Sequence, residues 1–101
     1  TRLVEAIVHG EDIRRPLGIA ATYAEDAVAA ALAYQVGTSV AIGGGRERVK
    51  GVRLIATDGE FDAGQGDVVR GRAVDLLLAV SCRAVGTDVF DGPGAGRLTA
   101  G

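Results

Sequence analysis

Apolar side chains recur at spacings of three and four through Leu3, Val4, Ile7, Val8 and Ile13, which predicts a helix over residues 2–15 that Pro16 ends. Its only available N-cap is Thr1, the first residue, so the helix reads as cut into and as continuing something upstream. A second helix is expected from Thr22, where Thr22 and Glu25 have the T-x-x-E spacing of a capping box. An Ala-rich run through Val28, Leu32 and Val36 carries it to Gly37. Its small faces suggest close packing, most naturally on a sheet. Residues 40–45 run into three glycines and residues 46–50 form a charged loop.

Period-two alternation follows. Val52, Leu54 and Ala56 share one face of a strand over residues 51–57, with Arg53, Ile55 and Thr57 on the other. Asp58-Gly59 suits a tight type I′ hairpin, with residues 60–63 returning antiparallel. A turn at residues 64–66 leads to a third short strand over 67–70. An apolar helix over 73–83 then buries Val74, Leu77, Leu78 and Cys82, and the glycine-rich tail from Asp91 is expected to fray. These elements define an α+β fold with a small, mostly antiparallel sheet packed by helices.

A chain of 101 residues supports one modest core. With 48% hydrophobic and 24% charged residues it lies well inside the globular range. The formal net charge of −2 and pI near 5.2 supply no cationic excess for phosphate backbones, which argues against nucleic acid as a partner. No apolar run approaches the ~20 residues that cross a bilayer, so no membrane insertion is expected. A single cysteine, Cys82, cannot staple the chain and fits a reducing, cytoplasmic setting. The absence of Met places the initiator, or a whole domain, upstream of Thr1.

Candidate chemistry is sparse. Glu5 and His9, four apart, project from one helix face and can converge on one ion; a surface pair is the alternative. Asp12, nearly a turn further on, is either an acceptor for the imidazole N–H or a solvated carboxylate. The glycine run at 43–45 matches neither phosphate-loop pattern and reads as a flexible connection. Cys82 reads as a small core hydrophobe. Arg83, ending the last helix, either bonds the final carbonyls or grips a carboxylate.

Three stretches, RLVEAIVHGEDIRRPLGI, GGGRERVKGVRLIATDGEF and GDVVRGRAVDLLLAVSCR, occur in an order that resembles the C-terminal half of the actinobacterial mycothiol-dependent maleylpyruvate isomerase family. The resemblance implies two parts. Residues 1–18 would be the last helix of an otherwise missing DinB-like helical bundle, and residues 19–101 a sterol-carrier-like α+β domain. Glu5 and His9 match the family's Glu-x-x-x-His pair and would be ligands of a divalent metal, usually zinc. A further His of that site would lie in the missing N-terminal domain. Mycothiol would supply a thiolate that adds to the double bond of a small unsaturated carboxylic acid, permits rotation and leaves. An arginine of the C-terminal domain would hold substrate carboxylates; Arg83 is the candidate, with Arg53 and Arg70 as rivals. The other reading is a noncatalytic module that binds an apolar ligand or dimerises, and a helix with an uncovered apolar face suits a homodimer in either case.

Overall fold

The computed structural model describes residues 2–19, 21–42, 44–83 and 85–99. The expected Thr1 cap and the first glycine of the 43–45 run lie outside them. The fold is α+β, with four α-helices and a three-stranded sheet among the described residues.

Helix α1 spans Arg2–Arg14 and stops before Pro16, as the ring's missing N–H requires. It buries Val4, Ile7, Val8 and Glu11. Helix α2 spans Glu25–Gly37 and begins later than the capping box places it. Ala24 is its N-cap, with no side-chain cap bond. The phenol of Tyr23 is drawn onto α1, where it donates to Glu11 Oε2 at 2.6 Å, and Ala24 is extended behind it, so Thr22 stands outside the helix.

Strand β1 covers Val52–Ala56, β2 Asp62–Gly64 and β3 Asp67–Gly71. The alternation holds: Val52, Leu54 and Ala56 are buried while Arg53 is exposed and Ile55 half-buried. The order is β2-β1-β3, with β2 antiparallel and β3 parallel to β1. The sheet is therefore mixed, where a mostly antiparallel one was expected. Only Gln65 and Gly66 cross the end of β1 to carry the chain from one edge to the other, a span of roughly 9–10 Å that three Cα–Cα steps just reach. The crossing forces positive φ at Gly64 and Gly66 and brings Gly66 onto the backbone of β1, where a Cβ would lie 2.2 Å from the Gly51 carbonyl oxygen.

The tight hairpin at Asp58-Gly59 does not form. Neither residue has positive φ, and the last β1–β2 pair is Ile55 with Asp62. The wider loop lets Asp58 Oδ1 accept the Ala73 N–H at 2.9 Å, so this aspartate satisfies the start of the next helix.

That helix, α3, spans Ala73–Val80 and is buried at every position. It lies between the sheet and α2, and α2 packs on α3 and α1 more than on the strands. The helix ends earlier than expected. Cys82, placed by periodicity in the buried helical face, is exposed beyond the helix with φ of 65°. The Cys82 N–H bonds Ala79 O at 3.2 Å and the Arg83 N–H bonds Leu78 O at 2.9 Å, the two bonds of a Schellman cap, with cysteine at the position that usually takes glycine. The tail does not fray within the described residues: α4, Ala95–Thr99, buries Ala95 and Leu98. One core unites Val4, Ile7 and Val8 of α1 with Leu32 of α2, Leu54 of β1 and Leu76 and Leu77 of α3.

Candidate functional site: a cationic cleft beside the exposed face of α1

The end of α3 is held in place from two sides. Buried Gln35 of α2 donates from Nε2 to Ser81 Oγ at 2.9 Å. The connection before β1 presses directly on the helix: the Gly45 N–H bonds Gln35 O at 2.8 Å, and a Cβ at Gly45 would sit 2.3 Å from the Val80 carbonyl oxygen. Gly45 thus serves close backbone approach. It positions the helical turn Arg46–Val49 against the end of α3.

Between these parts and α4 lies a cleft of about 470 Å³, lined by Arg48, Ala79, Cys82, Arg83, Val85, Gly86, Leu98 and Thr99. Its walls carry two guanidinium groups and a thiol over an apolar base of Ala79, Val85 and Leu98. The Thr99 hydroxyl already donates to Ala95 O at 3.0 Å.

Arg83 contacts a main-chain carbonyl and a side-chain carboxylate of the chain itself. Its Nη1 donates to Ser81 O at 3.2 Å, satisfying a carbonyl past the end of α3, and its Nε donates to both oxygens of Asp12 at 2.9 and 3.1 Å. The Arg83 hydrogen bond, against slight desolvation, holds the Asp12 carboxyl below its ordinary range, with smaller help from the charges of Arg83 and His9. The rivals stand elsewhere. Arg53 grips Asp62 through Nε and Nη2 at 2.8 and 2.6 Å on the open side of the sheet, and Arg70 is exposed on β3.

Glu5 and His9 are both exposed on α1, and with Asp12 they fall on one helix face at spacings of four and three. A carboxylate and an imidazole are donors that zinc accepts. Two donors do not complete a centre, however, and no group of three or more His, Cys, Asp or Glu able to hold a metal ion occurs among the described residues. The pair is not joined to the cleft directly; Asp12 and Arg83 form the link.

Sequence reasoning missed two features. Arg48 lines the cleft, whereas its sequence context marks only a charged loop and nothing local points it toward α3. The second is a buried ionic cluster. Arg15 donates from Nε to Glu11 Oε1 at 2.7 Å and from Nη2 to Asp75 Oδ1 at 2.7 Å, joining α1 to α3. Glu11 and Asp75 are 6% and 5% exposed, Tyr23 and Arg14 close over Glu11, and Arg72 Nε stands 3.5 Å from Asp75 Oδ2. Burial pushes the Glu11 carboxyl up, but hydrogen bonds from Tyr23 and Arg15 with the charges of Arg15 and Arg14 bring it below its usual value. Burial and the bond to Glu11 raise the Tyr23 phenol. The readable signal was an aspartate inside the otherwise apolar AVDLLLAV.

Fold and cleft together define a small α+β module with a cleft of about 470 Å³ whose lining includes Arg48 and Arg83. No protein-family profile, curated protein or solved structure matches the chain. No helix among the described residues is long and apolar enough to cross a membrane.

Proposed function

We propose that the chain is the carboxylate-holding C-terminal module of a longer, divalent-metal- and mycothiol-dependent protein of the isomerase or transferase type, acting by thiolate addition to a small unsaturated acid. In this reading Glu5 and His9 are two ligands of a metal, zinc by its donor chemistry, and a missing N-terminal helical domain supplies the rest. Arg83 holds the substrate carboxylate. The observation that carries the reading is the Arg83–Asp12 contact at 2.9 Å, because it joins the carboxylate-binding candidate to the α1 face that bears Glu5 and His9. Asp12 and Ser81 O take the Nε and one Nη1 proton of Arg83, while its Nη2 donates to no described residue. A planar carboxylate needs that remaining end of the guanidinium.

The test is intact mass and metal content of the protein isolated from its source cell. A mass well above 10.2 kDa with about one zinc per chain is expected. A mass equal to this chain, without metal, would sink the catalytic reading.

A second reading, a noncatalytic module that dimerises or takes an apolar ligand, is favoured by the exposed apolar side chains that end α1 and follow it. Ile13, Leu17 and Ile19 are 65%, 68% and 51% exposed. Sedimentation of the chain at rising concentration tests its dimer form: a homodimer lost in Ile13→Asp supports it, and a monomer throughout removes it.

A further inference from the structure

We propose that two copies of this chain associate about a two-fold axis through the face that runs from Arg72 to Glu60, the cationic end of that face on one copy meeting the acidic end on the other. This deepens the second reading above, giving its homodimer a surface and a pairing, and rests on it.

Three recesses form the face, and the walls they share set their order. The first, of about 610 Å³, is lined by Arg15, Ile19, Arg72 and Val89 over the carboxylates of Glu11 and Asp75. It shares Ala21 and Arg72 with the second, of about 220 Å³, which also touches Tyr23, Asp58 and Ala73. The second shares Glu25 with the third, of about 530 Å³, whose other walls are Asp26, Ala29, Glu60 and Phe61.

Charge separates along this strip. At the first end the acids are turned inward: Glu11 and Asp75 are buried and bond Arg15, whereas the Arg72 side chain is 62% exposed, so an approaching surface meets guanidinium groups. In the middle, Asp58 is taken up by the Ala73 N–H. At the far end Glu25, Asp26 and Glu60 are all exposed, and no Lys or Arg is among the described residues that line it. Glu25 lies across Gly59, where a Cβ would stand 2.9 Å from its Oε1. Both ends also carry apolar surface, exposed Ile19 and Val89 at the first and half-buried Phe61 with Ala29 at the other.

A surface with opposite charges at its two ends is complementary to itself when turned by half a rotation about its middle, and a closed two-fold dimer brings the same patch of each subunit together. That rotation sets Arg15 and Arg72 of each copy against Glu25, Asp26 and Glu60 of the other, with Ile19 and Val89 against Phe61. Two chains of net charge −2 repel at long range, so the pairing of unlike ends selects this face for the contact.

Sedimentation equilibrium of the full chain at low salt tests this. Arg72→Glu and Glu60→Arg are each expected to weaken the dimer at least about tenfold, because unlike pairs become like pairs at both ends. Their equimolar mixture is expected to recover the wild-type dissociation constant within about threefold, because the mixed dimer opposes unlike charges at each end. Thermal melts establish that the variants are folded; if a reversal is not, Arg72→Gln and Glu60→Gln serve instead, each expected to weaken the dimer about threefold. Reversals or neutral variants that leave the dimer intact overturn the proposal, as does a mixture of reversals that stays monomeric. If Ile13→Asp dissociates the dimer in that case, the second reading stands without this surface. Species that grow beyond a dimer would mean head-to-tail docking and also overturn it. A wild type that is monomeric at every concentration removes both.

Discussion

Replacing Arg15 by Met leaves two carboxylates in the interior without their shared partner. Glu11 and Asp75 have side chains only 8% and 7% exposed, and each loses a 2.7 Å charged hydrogen bond. Removing one partner from a buried ion pair costs ~3–5 kcal/mol. Two features lower that figure here: Arg15 itself is 37% exposed, and Tyr23 and Arg14 still face Glu11 while Arg72 remains 3.5 Å from Asp75. The net loss should be about 2–3 kcal/mol after allowing for solvent screening of Arg15. For a domain of this size that lowers Tm by roughly 10–20 °C, readable by circular dichroism and by urea titration. The pH dependence gives an independent readout. The folded-state carboxyl of Glu11 lies below its usual 4.5, so its contribution is present above that value and is lost as pH falls through the lower folded value. Arg15→Met should flatten the fall in stability below pH ~4.5, since part of the lowering comes from Arg15. The double variant Arg15→Met with Asp75→Leu should regain part of the loss, because an apolar pair leaves one fewer buried charge. A loss below ~0.5 kcal/mol in the single variant would refute the view that this cluster joins α1 to the core.

Cys82→Gly should stabilise the chain by about 0.5–1 kcal/mol, the left-handed penalty less the added chain entropy of glycine, measured as a rise in Tm; a fall would mean that the thiol packs. Asp58→Ala should cost about 1 kcal/mol in urea unfolding through the lost bond to the Ala73 N–H, and no change would remove that contact from the account of α3. Glu47, whose Oε1 accepts the Val40 N–H at 2.7 Å, has its carboxyl lowered by that bond and by Arg46 to about 2. A carboxyl titration followed by NMR should show this group ionised until pH falls far below 4.5, with its stabilising contribution lost between that value and about 2; a midpoint at the ordinary glutamate value would contradict the contact.

Local physics in the sequence determined where the regular elements lie. The ring of Pro16 ends α1, the two-residue alternation of Val52, Leu54 and Ala56 gives β1 one buried face, and the apolar run from Ala73 becomes a buried helix. These depend on neighbours a few residues away, so a linear pattern records them. Glu5, His9 and Arg83 were legible as candidates by residue type and spacing, yet the contact of Arg83 with Asp12 was not, because the two stand 71 positions apart. Tertiary structure alone decided the rest. Which edge of β1 the third strand takes depends on a two-residue crossing through glycines. Whether Asp58 turns a hairpin or satisfies α3 depends on where Ala73 is packed, and the fate of Cys82 depends on where the end of α3 meets Gly45 and Gln35. Each is a choice between local conformations of similar energy, settled by burial and hydrogen bonding to groups distant in the chain.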